Sequence, residues 1–194
     1  MNYIKGFVPW IAFSALSSVV GWQWGALVAL AATGWAILRD RRSGVTVDAQ
    51  ILDLGSAVYF AALTAVAFAA PHSVLEQYDG ALSSVWLAAI AWFSLAVRQP
   101  FTEGIARRQT PREYWGTAAF RKVNTTVTLV WTASFTATAF AAFACDALDA
   151  PTLVRVAYQA VGCGVPAYFT HRYVARVRAA RAALEVQTAI PAVA

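Results

Sequence analysis

The sequence predicts an all-α polytopic membrane protein with about six transmembrane helices, the first two short and hairpin-like. Three observations carry this. Only 13% of the 194 residues are Asp, Glu, Lys or Arg, against about 25% in an ordinary soluble domain. Apolar types make up 59%, and the mean hydropathy is +0.54. The few charges collect in islands between apolar stretches instead of spreading along the chain. Fifteen basic and ten acidic residues cannot coat a soluble fold of this length. The composition therefore disfavours a soluble enzyme, a disordered tail and a nucleic-acid module.

The apolar stretches run approximately over 7–20, 22–38, 51–70, 80–97, 123–145 and 153–170. A helix rises about 1.5 Å per residue, so about 20 residues cross about 30 Å of hydrocarbon. The third, fourth and fifth stretches meet that length, and the sixth meets it approximately. The first two are shorter and meet at Gly21-Trp22-Gln23-Trp24-Gly25 with no charge between them. They form either a hairpin of two short helices or a re-entrant pair. Gly21 and Gly25 at that tip read as turn-makers. Trp22 and Trp24 suit an interfacial depth, as Trp10, Trp35, Trp86 and Trp92 do in part. No cleavable signal sequence is apparent, and no internal repeat marks an inverted-repeat transporter.

Lys and Arg orient the spans. Lys5, Arg39, Arg41 and Arg42, the run from Arg98 to Lys122, and Arg172 to Arg181 account for fourteen of the fifteen basic residues. All fall on one side of a six-span arrangement. Arg155 alone falls on the other, where the islands 71–79 and 146–149 carry Glu76, Asp79, Asp146 and Asp149. The positive-inside rule then makes both termini and the long loop cytoplasmic, in the inner (plasma) membrane. Residues 1–178 read as one membrane domain. The tail 179–194 reads as a fraying helix extension or a disordered segment.

Two connecting segments carry local signals. Ser73 with Glu76 three residues on is a capping box, so 74–78 forms a short helix or a plain loop. The segment 98–122 is basic and aromatic. Pro100 ends the fourth span and opens a helix in which Phe101 and Ile105 share a face, with Arg107 and Arg108 turned away. Thr110-Pro111-Arg112-Glu113 is a second capping box, followed by Tyr114, Trp115 and Phe120. The pattern predicts two amphipathic helices on the inner membrane surface. Arg98, Phe101, Ile105, Arg107, Arg108, Arg112, Trp115, Arg121 and Lys122 form either topology anchors or a site for anionic headgroups or a protein partner.

The fifth span is rich in hydroxyls. Thr125, Thr128, Thr132 and Thr136 are spaced 3, 4 and 4, one helical stripe with Asn124 at its end. The stripe either packs against a neighbouring helix or lines a solute path. Asp53, just inside the third span, favours the helix dipole and has Arg39, Arg41 or Arg42 as candidate partners. A coupling role for it is the alternative.

Catalytic patterns are absent: no phosphate-binding Gly loop, no His-Glu-x-x-His, no Cys-x-x-Cys and no Gly-x-Ser-x-Gly. Cys145 and Cys163 differ in expected depth, which argues against a disulfide. His72 and His171 lie nearly a bilayer apart and cannot share a haem or a metal. No enzyme activity, cofactor or nucleic-acid partner is expected.

Several motifs together resemble a family. They are Phe7-Val8-Pro9-Trp10-Ile11-Ala12-Phe13, a second span ending in Arg, and Arg98-Gln99-Pro100-Phe101. Thr110-Pro111 and Trp115 follow, then Asn124 ahead of Trp131 and Phe135, and finally Phe169-Thr170-His171-Arg172-Tyr173. Over about residues 5–175 this arrangement resembles the bacterial intracellular septation protein A family of small inner-membrane proteins. The resemblance implies a non-enzymatic role in envelope maintenance or division, exerted through helix, lipid or partner contacts. It implies no catalytic residues. The alternative is a small channel or transporter built on the hydroxyl stripe.

Overall fold

The computed structural model describes residues 6–108 and 110–189. Among these the regular structure is helical, with no strand. Positions 1–5, Gln109 and positions 190–194 lie outside the described residues; the last helix continues to Ala189, and the remainder of the tail, with Lys5, falls outside them.

Seven α-helices follow in order: α1 (Val8–Val20), α2 (Trp22–Arg42), α3 (Ile51–Ala69), α4 (Asp79–Ala96), α5 (Phe101–Arg107), α6 (Ala118–Ala147) and α7 (Thr152–Ala189). Short 3-10 turns occupy Val47–Gln50, Val74–Tyr78 and Arg112–Tyr114. Three segments, Ile51–Ala69, Val74–Ala96 and Ala118–Ala147, are long and apolar enough to cross a membrane. α1, with 13 residues, extends only about 20 Å.

Local chemistry explains the boundaries. Pro9 sits in the first turn of α1, where a missing N–H costs nothing. Gly21, with φ 91°, is the whole connection between α1 and α2. Residues 7–38 thus form a hairpin of two helices, and Gly25 lets them close against the Ser17 backbone. Arg39, Arg41 and Arg42 occupy the last turn of α2, the end where cations favour the helix dipole. Ser73 accepts from the Leu75 N–H at 3.3 Å and starts the 3-10 turn that runs into α4.

The expected cap at Thr110 does not form, since the turn Arg112–Tyr114 has no side-chain cap. Thr117 caps α6 instead, accepting from the Phe120 N–H at 3.2 Å. The second predicted amphipathic helix is therefore only a 3-10 turn.

The helices pack in the order α1, α2, α3, α4, α6, α7, with α5 tucked beneath α6. α1 closes the bundle through aromatic rings. Phe7 stacks on Trp131 of α6 with ring centroids 4.8 Å apart, and Trp10 lies 4.7 Å from Phe60 and 5.0 Å from Tyr59 of α3. The Trp10 indole donates to Ser56 Oγ at 2.9 Å, which satisfies the one polar atom the ring carries into the core. Trp22 lies at the hairpin tip beside the loop that follows α3. It is buried and donates to the Pro71 carbonyl at 3.0 Å, while Trp24 stays exposed.

Pro166 lies inside α7 and cannot donate to the carbonyl four residues back, that of Gly162. Ser134 of α6 fills the gap, donating to that carbonyl at 2.6 Å. Gly162 makes the approach possible, because a Cβ there would strike Thr138 Oγ1. A break in one helix thus becomes a cross-helix hydrogen bond.

Candidate functional site

The residues singled out in the sequence separate into three places. The first is the basic end of the bundle, where the last turn of α2, the first turn of α3 and α5 meet. Ser94 of α4 starts α5 by accepting the Phe101 N–H at 3.2 Å. Gly104 lets α5 press against the turn Val47–Gln50, since a Cβ at 104 would collide with the Ala49 carbonyl. Gln50, itself buried, donates to the Ile37 carbonyl of α2 at 3.3 Å.

α5 is not the surface helix that the pattern suggests. Phe101, Thr102, Gly104, Ile105 and Ala106 are all buried. Phe101 and Ile105 share a face as expected, but that face joins the core and is not available to lipid. The physical reason is the small side chain at 104, which leaves no shoulder to hold the helix away from its neighbours.

Arg107 and Arg108 at the end of α5 are also committed. Arg108 bridges two carboxylates, Asp40 at 2.9 Å and Asp53 at 3.1 Å, and Asp40 also meets Arg39 at 3.2 Å. Asp53 does lie in the first turn of α3, yet its salt-bridge partner is Arg108 and not one of the three arginines of α2. Arg107 pairs with Glu103 at 2.7 Å and sits over the Trp115 ring, which Arg112 faces as well. Trp115 donates to the Thr110 carbonyl at 2.9 Å. Arg181 of α7 stacks on Tyr114, 3.6 Å from the ring centroid. Arg98 is exposed with φ 57° and marks the stop of α4 before Pro100.

The second place is the hydroxyl stripe of α6. Thr128 and Thr132 are fully buried and Asn124 nearly so. Thr128 and Thr102 of α5 share a hydrogen bond of 2.7 Å, and Thr102 also meets the Asn124 carbonyl at 3.0 Å. Asn124 donates to the Phe120 carbonyl at 2.8 Å, Thr132 to Thr128 and Thr136 to Thr132, both at 2.8 Å. Trp92 of α4 donates to Thr136 at 3.3 Å. From Thr128 onward the stripe faces packed neighbours.

The third place is the outer flank of the α6 N-terminus. Gly116, Ala118, Arg121, Lys122, Thr125 and Thr126 line a shallow open cleft of about 500 Å³. Thr125, the first threonine of the stripe, is half-buried and lines this cleft.

At the opposite end of the bundle, Arg155 pairs with Asp146 and donates to the Ala150 and Cys145 carbonyls at 3.1 and 3.2 Å. The one basic residue apart from the others thus caps the C-terminus of α6. Cys145 and Cys163 are both free thiols. Among the described residues no group of three or more His, Cys, Asp or Glu is placed to hold a metal ion. No family model, no curated protein and no solved structure matches this chain.

Proposed function

We propose that the chain is a non-enzymatic integral membrane protein of the inner membrane, with six spans and both termini cytoplasmic. In this reading it works through contacts between helices, lipid headgroups and other membrane or division proteins, as the septation protein A resemblance implies. Three helices long and apolar enough to span a bilayer support it. So do the many exposed Val, Leu, Phe and Trp side chains on the helices, which water would penalise and acyl chains would not. The sorted basic residues support the orientation.

The residues carrying the resemblance are mostly packing residues. Pro9, Pro100, Asn124, Trp131 and Phe135 are buried, and Trp115 is half-buried. They support a shared architecture more directly than any shared activity.

The single observation that favours a contact protein over a channel is the fate of the hydroxyl stripe. Its buried members bond to Thr102 or to the preceding turn. A solute path would need those hydroxyls facing water. In proteoliposomes the wild-type chain is therefore expected to give no ion or solute flux above empty vesicles. The Thr128→Val, Thr132→Val pair should change only stability, by about 1 kcal/mol, since each such bond within a membrane is worth about 0.6 kcal/mol. Flux in the wild type that falls in this double variant would overturn the reading.

A further inference from the structure

We infer that the open cleft on α6 holds the phosphate of an anionic phospholipid, whose acyl chain lies along the exposed face of the same helix. This rests on the membrane reading above. Two independent features of α6 point to it.

The first is a contrast among hydroxyls. Thr128, Thr132, Ser134, Thr136 and Thr138 all make hydrogen bonds within the bundle. Thr125 and Thr126, which line the cleft, make none among the described residues. Beside them Arg121 and Lys122 are exposed, and neither is paired with a described carboxylate, unlike Arg39, Arg107, Arg108 and Arg155. Two cations and two donor hydroxyls around one cleft suit a phosphate monoanion.

The second is continuity with an apolar track. Lys122, Thr126, Leu129, Ala133, Ala137 and Phe140 follow one another at helical spacings of three and four and share a face. Beyond Thr126 every one of them is exposed, Leu129 at 48% and Phe140 at 73%. A free phosphate needs only the cleft. A phospholipid uses both the cleft and the track, whose first apolar residue, Leu129, lies about two turns along the helix from the cations. Arg107, Arg108 and Arg112 of the preceding segment are tied to Glu103, to Asp40 and Asp53, and to Trp115, so the headgroup contact moves to Arg121 and Lys122.

Native mass spectrometry of the full chain, extracted from membranes in detergent, reads the result. The probes are phosphatidylglycerol and phosphatidylcholine added in equal amounts. The ratio of bound phosphatidylglycerol to phosphatidylcholine should fall about 30-fold in Arg121→Gln, Lys122→Gln, equivalent to about 2 kcal/mol for two surface cations. Thr126→Val should lower it about 5-fold, the loss of one hydrogen bond. Arg176→Gln, Arg178→Gln on α7 should leave it unchanged, and excess inorganic phosphate should not displace the lipid. The inference is overturned if the double variant keeps the wild-type ratio, if the α7 variant lowers it equally, or if inorganic phosphate displaces the lipid. A chain that integrates into membranes yet shows any of these refutes the lipid site alone. A chain recovered in the soluble fraction refutes the membrane reading and the site with it.

Discussion

Arg108→Ala is expected to lower stability by about 3–5 kcal/mol, the usual consequence of removing one partner from a buried ionic cluster. Arg108 is the common partner of Asp40 and Asp53, whose side chains are only 8% and 12% exposed. Without it two carboxylates face one another at the junction of α2 and α3, and Arg39, which is half exposed, reaches only Asp40. Thermal unfolding of the detergent-purified protein measures the loss. Adding Asp53→Asn to Arg108→Ala should restore a large part of it, because one of the two stranded charges is gone. The neighbouring change Arg107→Ala should cost less, since it leaves one carboxylate, Glu103, without its ion pair where Arg108→Ala leaves two. Equal losses at 107 and 108 would contradict a bridging role for Arg108.

Trp131→Ala should cost a similar 3–5 kcal/mol, the range for emptying a buried aromatic site. The Trp131 ring stacks on Phe7, packs 5.4 Å from Phe135, and is 4% exposed. Its indole donates to Thr170 at 3.1 Å, and Thr170 donates to the Pro166 carbonyl at 2.7 Å. The residue therefore joins α1, α6 and the proline break of α7. Trp131→Phe should keep most of the packing and lose mainly the hydrogen bond, about 1 kcal/mol. A double-mutant cycle with Phe7→Ala should return about 0.5–1.5 kcal/mol of coupling, the worth of an aromatic pair beyond its buried area. No coupling would mean that α1 does not close the bundle as described.

The helices were legible because apolar run length and charge islands are properties of contiguous sequence. Each predicted span coincides with a helix, though α6 and α7 run well past the predicted limits because their charged ends remain helical. Burial was less legible. Phe101 and Ile105, four residues apart, look the same on a helix floating at a membrane surface and on one plugged into a core. The signal that separates the two is Gly104 between them, with Thr102 beside it, small enough for backbone contact. The partner of Asp53 was hidden because Arg108 lies 55 residues away, whereas Arg39, Arg41 and Arg42 lie nearby in sequence. The hydroxyl stripe was visible as a period, but periodicity does not say whether a face meets water or Thr102. The cleft cations Arg121 and Lys122 were among those singled out. What distinguishes them is the cleft that they line together, with no described carboxylate paired to either, which only the fold reveals.

The proposed arrangement of six spans with the basic end inside makes one demand that single-cysteine labelling tests. Starting from a Cys145→Ala, Cys163→Ala background, cysteines are placed one at a time at Ser43, His72, Gly116 and Asp149, each exposed at an end of the bundle. A membrane-impermeant maleimide added to intact cells should label positions 72 and 149 and spare 43 and 116, which should react only after permeabilisation. Labelling of 43 or 116 in intact cells, or equal protection of 72 and 43, would contradict the arrangement.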